Sequence, residues 1–82
     1  MIVFDGHEYE NAADVPDLGS FRNDKLENGK RNYYGLSADV AKLPTKAKYP
    51  QYTDLKTGSI TYCVDTGAVY MYEESSDTWY AQ

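Results

Sequence analysis

The triplet Asp65-Thr66-Gly67 is the segment whose residue types come nearest to a catalytic motif. Asp-Thr-Gly is the signature of aspartic proteases, in which two carboxylates share one proton across a dimer interface. In that family the triplet lies in the first third of the chain, whereas here only 15 residues follow Gly67. We therefore interpret Asp65, Thr66 and Gly67 as the structural turn of a hairpin and keep a dimeric protease as an alternative.

The remaining reactive side chains form no recognisable set. His7 has no motif partner and is expected to be solvated beside a turn. Cys63 is the only cysteine, so no intrachain disulfide can form, and we expect a half-buried, inert thiol. A calcium-loop pattern from Asp24 fails because Leu26 and Gly35 occupy ligand positions. We predict that the protein is not an enzyme and binds no metal or cofactor.

Charge and hydropathy narrow the choice of partners. The net charge is −5, from 13 acidic and 8 basic residues, and a domain of this sign repels phosphate backbones. The longest apolar run, Met1 to Phe4, is far shorter than the roughly 20 residues of a membrane span. We therefore expect a soluble protein of a cytoplasm-like compartment that binds neither nucleic acid nor membrane.

The apolar content predicts a thin core. Only 14 of the 82 residues are Leu, Ile, Val or Phe, although nine tyrosines argue for an ordered chain. A single domain over 1–82 with so little to bury is marginally stable by itself. Since no disulfide can staple it, we infer that oligomerisation or docking onto a larger body completes its stability.

The pattern of strand residues and turns predicts a mainly β fold, a small antiparallel sheet of hairpins with one short helix. Asp5-Gly6 predicts a hairpin over 2–9, and Asn28-Gly29 predicts a second, exposed hairpin that completes the N-terminal hairpins over 2–34. Ser37 as N-cap and Pro44 as terminator predict a helix over 38–43. Residues 44–57 are expected to form an irregular, exposed connection.

The C-terminal third, 59–81, has a period of two and predicts a three-stranded meander. A type I turn at Asp65-Thr66, with Gly67 in a left-handed bulge position, would set Val64 opposite Ala68. The same register would set Tyr62 opposite Tyr70 and Ile60 opposite Tyr72. All three pairs would then share one face.

Most aromatic residues of the meander must serve as core, because aliphatic residues are scarce. The remaining aromatic residues suit a protein interface, where tyrosine is enriched. The candidate partner interface comprises Tyr33, Tyr34, Tyr49, Tyr52, Trp79 and Tyr80.

Several segments together resemble small structural proteins from the virion modules of tailed bacteriophages, particularly those that infect Firmicutes. The segments are Gly35-Leu36-Ser37-Ala38-Asp39-Val40, Leu43-Pro44, Gly58-Ser59 to Tyr62, Asp65-Thr66-Gly67 with Val69-Tyr70-Met71-Tyr72, and Thr78-Trp79-Tyr80. The resemblance covers about Val15 to Gln82 and extends to head-fibre and capsid-decoration proteins.

The resemblance implies a non-catalytic role in the virion, on the capsid exterior, with the major capsid protein as partner. We expect homo-oligomeric or lattice-bound copies that decorate or cement the capsid. The alternative is a receptor- or glycan-binding module displayed on the particle, which would use Trp79 and exposed tyrosines.

Overall fold

Seven β-strands and three 3₁₀ helices make up the computed structural model, which describes residues 1–82. Strand accounts for 38% of the chain and helix for 17%, so the predicted mainly β class is confirmed. The strands are β1 (Ile2–Phe4), β2 (His7–Tyr9), β3 (Arg22–Glu27), β4 (Lys30–Gly35), β5 (Ile60–Cys63), β6 (Val69–Glu73) and β7 (Thr78–Ala81). The 3₁₀ helices span Ala12–Asp14, Ser37–Lys42 and Pro50–Asp54.

Two tight turns build the first four strands, as the sequence predicts. Asp5 and Gly6 have φ of 52° and 83°, and Asn28 and Gly29 have φ of 53° and 85°, which are the left-handed conformations of a type I′ turn. The first turn joins β1 to β2 in a separate two-stranded sheet. The second turn joins β3 to β4.

A five-stranded sheet in the order β3-β4-β5-β6-β7 forms the body of the protein. Strand β3 pairs with β4, β5 pairs with β6, and β6 pairs with β7, and all three pairs are antiparallel. Strands β4 and β5 are parallel, which makes the sheet mixed rather than wholly antiparallel. A parallel pair needs a crossover connection, and residues 36–59 supply it.

The crossover differs from its prediction in two places. The predicted helix 38–43 is a 3₁₀ helix, Ser37–Lys42, and Leu36 rather than Ser37 occupies its N-cap. Residues 44–57 are not simply an exposed connection, because they contain the 3₁₀ helix Pro50–Asp54 and bury Tyr52 and Leu55 completely. The turn-forming residues of this segment predict exposure, and no local pattern indicates that these two side chains complete the core.

The core lies against one face of the five-stranded sheet. One cluster contains Leu18, Phe21, Tyr33, Leu43 and Cys63, and a second contains Tyr52, Leu55 and Tyr72. Tyr49 and Trp79 pack against both clusters. Phe4 of the first hairpin also packs against the first cluster, so the first hairpin, the crossover and the sheet share one interior.

The second hairpin is exposed in its first arm, as its charges predicted, since five of the six residues of β3 are exposed, but its second arm is largely buried. Arg31 and Tyr33 on β4 are buried, and β4 lies between β3 and β5. The charges of the hairpin do not indicate that β4 is buried, because the Arg31 side chain lies in a buried ion-pair network with Asp5 and Asp54.

Candidate functional site: the outer face of the sheet

The register of the C-terminal hairpin decides which side chains face solvent. Ile60 lies opposite Met71 and Tyr62 lies opposite Val69, one residue away from the predicted pairing. The loop has four residues, Val64 to Gly67, since the Cys63 amide donates to the Ala68 carbonyl at 2.8 Å. A shift of one residue sends each side chain of a strand to the other face.

The shift has a direct consequence for the core. Thr61 and Cys63 are buried, whereas Ile60, Tyr62 and Val64 are exposed. The predicted face of Ile60, Tyr62 and Val64 is therefore the solvent face of the sheet, and the predicted core pairs with Tyr70, Tyr72 and Ala68 do not form.

We call the solvent side the outer face, and its large apolar side chains the outer apolar patch. The patch spans four neighbouring strands, with one row running from Tyr34 to Tyr62 to Val69 and a second from Ile60 to Met71 to Tyr80. Tyr34 and Tyr62 meet edge to face with ring centroids 6.3 Å apart. The exposed members of the patch are Tyr34, Ile60, Tyr62, Met71 and Tyr80.

Apolar side chains are also exposed outside the patch, Met1 at 81% and Val3 at 70% among them, but the five members of the patch are neighbours on one sheet face. Tyr34 and Tyr80 are 45% and 49% exposed, and the other three members are 37–38% exposed. Single exposed apolar residues are ordinary, but a contiguous set of them on one face is typical of an interaction surface. Charged residues lie at the margins of the patch. Arg22 on β3 pairs with Tyr34 on β4, and Glu73 on β6 pairs with Thr78 on β7.

The six predicted interface aromatics divide between the two faces. Tyr34 and Tyr80 belong to the outer apolar patch. Tyr33 and Tyr52 are at most 1% exposed, so their assignment to an interface is wrong. The irregular sequence that flanks Tyr33 and Tyr52 does not imply exposure, because residues distant in the chain cover both rings.

Trp79 and Tyr49 lie between these extremes. Trp79 is half-buried, packs against Tyr72 with ring centroids 5.2 Å apart, and donates its indole N–H to the Pro44 carbonyl at 2.8 Å. Tyr49 is half-buried beside Tyr52, at a centroid distance of 5.9 Å. Both side chains pack against the inner core, and neither belongs to the outer face.

Asp5 and His7, the titratable residues of the first hairpin whose side chains are largely buried, belong to a polar network on the inner face. Arg31 donates from Nε to Asp5 Oδ1 at 3.1 Å and from a terminal nitrogen to Asp54 Oδ2 at 3.1 Å. The hydroxyls of Tyr33 and Tyr52 both donate to Asp5 Oδ2. The network therefore fastens the first hairpin to β4 and to the last 3₁₀ helix.

Burial and Asp5 determine the ionisation of the two tyrosines. Burial, followed by the nearby Asp5 carboxylate, raises the pKa of Tyr33, and burial together with the hydrogen bond to Asp5 raises the pKa of Tyr52. Both hydroxyls therefore stay protonated and act as donors. Burial opposes ionisation of Asp54, but hydrogen bonds from Arg31 and His7 outweigh it and lower the pKa of that carboxyl.

His7 is part of this network rather than a solvated side chain, so its predicted environment is wrong. Its Nε2 lies 2.9 Å from Asp54 Oδ1, and its ring meets Tyr52 edge to face at 4.7 Å. Only 13% of the side chain is exposed. The long-range contact with Asp54, 47 residues away, left no local signal in the sequence.

Asp65, Thr66 and Gly67 form the predicted structural turn. Gly67 has φ of 76°, and its amide donates to the Cys63 carbonyl at 2.7 Å. Asp65 accepts hydrogen bonds from the Ser37 amide at 3.0 Å and the Ser37 hydroxyl at 2.7 Å, and these bonds lower the pKa of its carboxyl. The Asp65 side chain thus ties the turn to the start of the crossover helix.

Cys63 is fully buried rather than half-buried. Burial raises the pKa of its thiol, so the unreactive thiol form is favoured. The inner position of Cys63 follows from the same one-residue register shift that exposes Tyr62.

No cluster of three or more His, Cys, Asp or Glu side chains is arranged to hold a metal ion. None of the helices has the length and apolar character needed to cross a bilayer. No family model, curated protein or solved structure matches this chain.

Proposed function

We propose that the protein is a non-catalytic structural module that docks through its outer apolar patch onto a neighbouring subunit of a larger assembly. The observation that carries the proposal is the contiguous exposure of Tyr34, Ile60, Tyr62, Met71 and Tyr80 on one sheet face. Aromatic residues and Met are enriched in the cores of protein interfaces, and charged residues are depleted there.

The two faces of the sheet differ in how far their apolar groups are buried. The inner face buries a tyrosine-rich core that is thin in aliphatic side chains, while large apolar groups remain in water on the outer face. Burying those groups contributes roughly 25 cal/mol for each Å² removed from water. A partner that binds only the folded chain also stabilises it by mass action.

The assembly that we propose is the virion of a tailed bacteriophage, with the major capsid protein as partner. The support is the resemblance of residues 15–82 to small virion proteins, together with a contiguous apolar sheet face that suits a protein surface as partner. In this role the patch packs on capsid subunits and the acidic remainder of the surface faces solvent, so that many copies decorate or cement the shell.

Co-sedimentation with capsids assembled from the major capsid protein of the same phage genome tests the proposal. The wild-type chain is expected to pellet with capsids at saturable stoichiometry. Tyr62→Lys places a charge at the centre of the patch and should abolish pelleting. Gln51→Lys adds the same charge at an exposed position outside the sheet and serves as the matched control.

The outcomes distinguish the competing functions. Equal pelleting of Tyr62→Lys and wild type would contradict docking through the outer face. Absence of wild-type pelleting would contradict the capsid partner, and binding of the purified chain to a glycan array would then favour the receptor-binding alternative.

A further inference from the structure

The two edges of the five-stranded sheet are built differently. The edge strand β3 carries Arg22, Asp24, Lys25 and Glu27, and its register shifts between Asn23 and Leu26. Charges and bulges of this kind prevent edge-to-edge pairing. The other edge strand, β7, has the sequence Thr-Trp-Tyr-Ala, is followed by Gln82, and contains no charge, proline or register shift.

The backbone of β7 presents free hydrogen-bonding groups to solvent. The Gln82 amide donates to the Val69 carbonyl at 2.9 Å, and Gln82 and Val69 lie in the same register as Tyr80 and Met71. In an antiparallel ladder, hydrogen-bonded pairs alternate with non-bonded pairs. Thr78, Tyr80 and Gln82 therefore bond towards β6, while the N–H and C=O groups of Trp79 and Ala81 point away from it.

We propose that β7 pairs with β7 of a second copy of this chain, about a two-fold axis at Tyr80. In this antiparallel register Trp79 lies opposite Ala81 of the other copy and Tyr80 lies opposite its own counterpart. Both outward-facing residues of each copy are then used, and four hydrogen bonds form across the dimer. The large Trp79 side chain faces the small Ala81 side chain on the inner side.

Two further features of β7 favour a second copy as the occupant of this edge. The strand is uncharged, so antiparallel pairing with itself brings no like charges together. Tyr80 also belongs to the outer apolar patch, so pairing at this edge joins the two patches into one continuous apolar surface. The inference does not depend on the identity of the docking partner.

Sedimentation equilibrium from micromolar to millimolar protein concentration tests the pairing. The wild-type chain is expected to approach twice its monomer mass of 9.3 kDa. Ala81→Pro removes one outward-facing N–H from each copy and should weaken dimerisation by at least about tenfold, because two hydrogen bonds are lost. Ala81→Ser keeps the N–H and should dimerise as the wild type does.

A cysteine crosslink tests the register independently of the stability of the proline variant. Opposed residues of a non-hydrogen-bonded pair have Cα atoms about 4.5 Å apart, within the range that a disulfide spans. Tyr80→Cys should therefore give a covalent dimer on mild oxidation. Thr78→Cys is the control, because its counterpart lies four residues out of register, about 14 Å away.

Three results would overturn the proposal. These are a wild-type monomer over the whole concentration range, an Ala81→Pro variant that is folded and still dimerises with wild-type affinity, and equal crosslinking of the Tyr80→Cys and Thr78→Cys variants. Tyr62→Lys changes the docking face but not this edge, so its dimerisation should equal that of the wild type. Failure of edge pairing is thereby distinguished from failure of outer-face docking.

Discussion

Replacement of Arg31 by Met should destabilise the protein severely. The Arg31 side chain is fully buried, and the Asp5 carboxylate that it pairs with is 3% exposed. Arg31 also donates to the backbone carbonyls of Asp5 at 3.0 Å and Gly29 at 3.2 Å. Met fills a similar volume but donates no hydrogen bond, so the Asp5 and Asp54 carboxylates lose their cationic partner and the Asp5 carbonyl loses the Arg31 donor.

The expected loss is about 3–5 kcal/mol, the cost of removing one member of a buried ion pair. The hydroxyls of Tyr33 and Tyr52 still donate to Asp5, which places the expectation towards the lower end of that range. A domain of this length has a total stability of about 4–12 kcal/mol, so the change removes a large fraction of it.

Urea unfolding followed by circular dichroism measures the effect, with Lys25→Met as the control. Lys25 is exposed, and its replacement should change the free energy of unfolding by no more than about 0.5 kcal/mol. Adding Asp5→Asn to Arg31→Met removes the unpaired charge and should recover at least about 1 kcal/mol. A loss below about 1 kcal/mol for Arg31→Met would refute the buried-network account.

Two further predictions concern turns. Gly67→Val should destabilise the protein by more than about 1 kcal/mol in urea unfolding, because a β-branched residue resists the φ of 76° at this position, and an unchanged melting curve would contradict the turn assignment. The second concerns Asp77, whose carboxylate accepts hydrogen bonds from the Lys46 and Ala47 amides at 2.8 and 3.0 Å. Burial raises the pKa of this carboxyl, but the hydrogen bonds from Tyr72 and from the two amides outweigh burial, so the pKa is lowered. The pKa of Asp77 in the folded state therefore lies below its unfolded value of about 3.9, so the stability that Asp77 contributes is complete above that value and is lost as the pH falls through the folded pKa. Asp77→Asn should therefore lose less unfolding free energy on acidification than the wild type does. An equal loss of unfolding free energy would contradict this assignment.

The turns were predictable from the sequence because their signals are local. Asp5-Gly6 and Asn28-Gly29 take up the positive φ values that these residue pairs favour, and the hairpins form where predicted. Gly67 is likewise left-handed. The period of two from Ile60 onwards correctly predicts a three-stranded meander.

The register of the last hairpin was not predictable from the same pattern. Alternation fixes which residues share a face but does not say which face is buried, and one additional loop residue exchanges the two. Val64 belongs to the loop rather than to the strand, so Cys63 and Thr61 face the core. The outer apolar patch therefore follows from a detail of loop length.

Long-range partners account for the other differences. The parallel pairing of β4 with β5 joins residues 28 positions apart, such as Tyr34 and Tyr62. The burial of Arg31 depends on Asp5 and Asp54, which lie on other elements. No local periodicity encodes these contacts, so charge was mistaken for exposure at Arg31 and irregular sequence was mistaken for exposure at Tyr52.

A cryo-electron microscopy map of phage particles that carry this protein tests the central claim most directly. We expect the outer face of the five-stranded sheet, with Tyr34, Tyr62 and Met71, to lie against a capsid subunit, and the crossover helices to face away from it. A map in which those three side chains face solvent while another surface makes the contact would contradict the account.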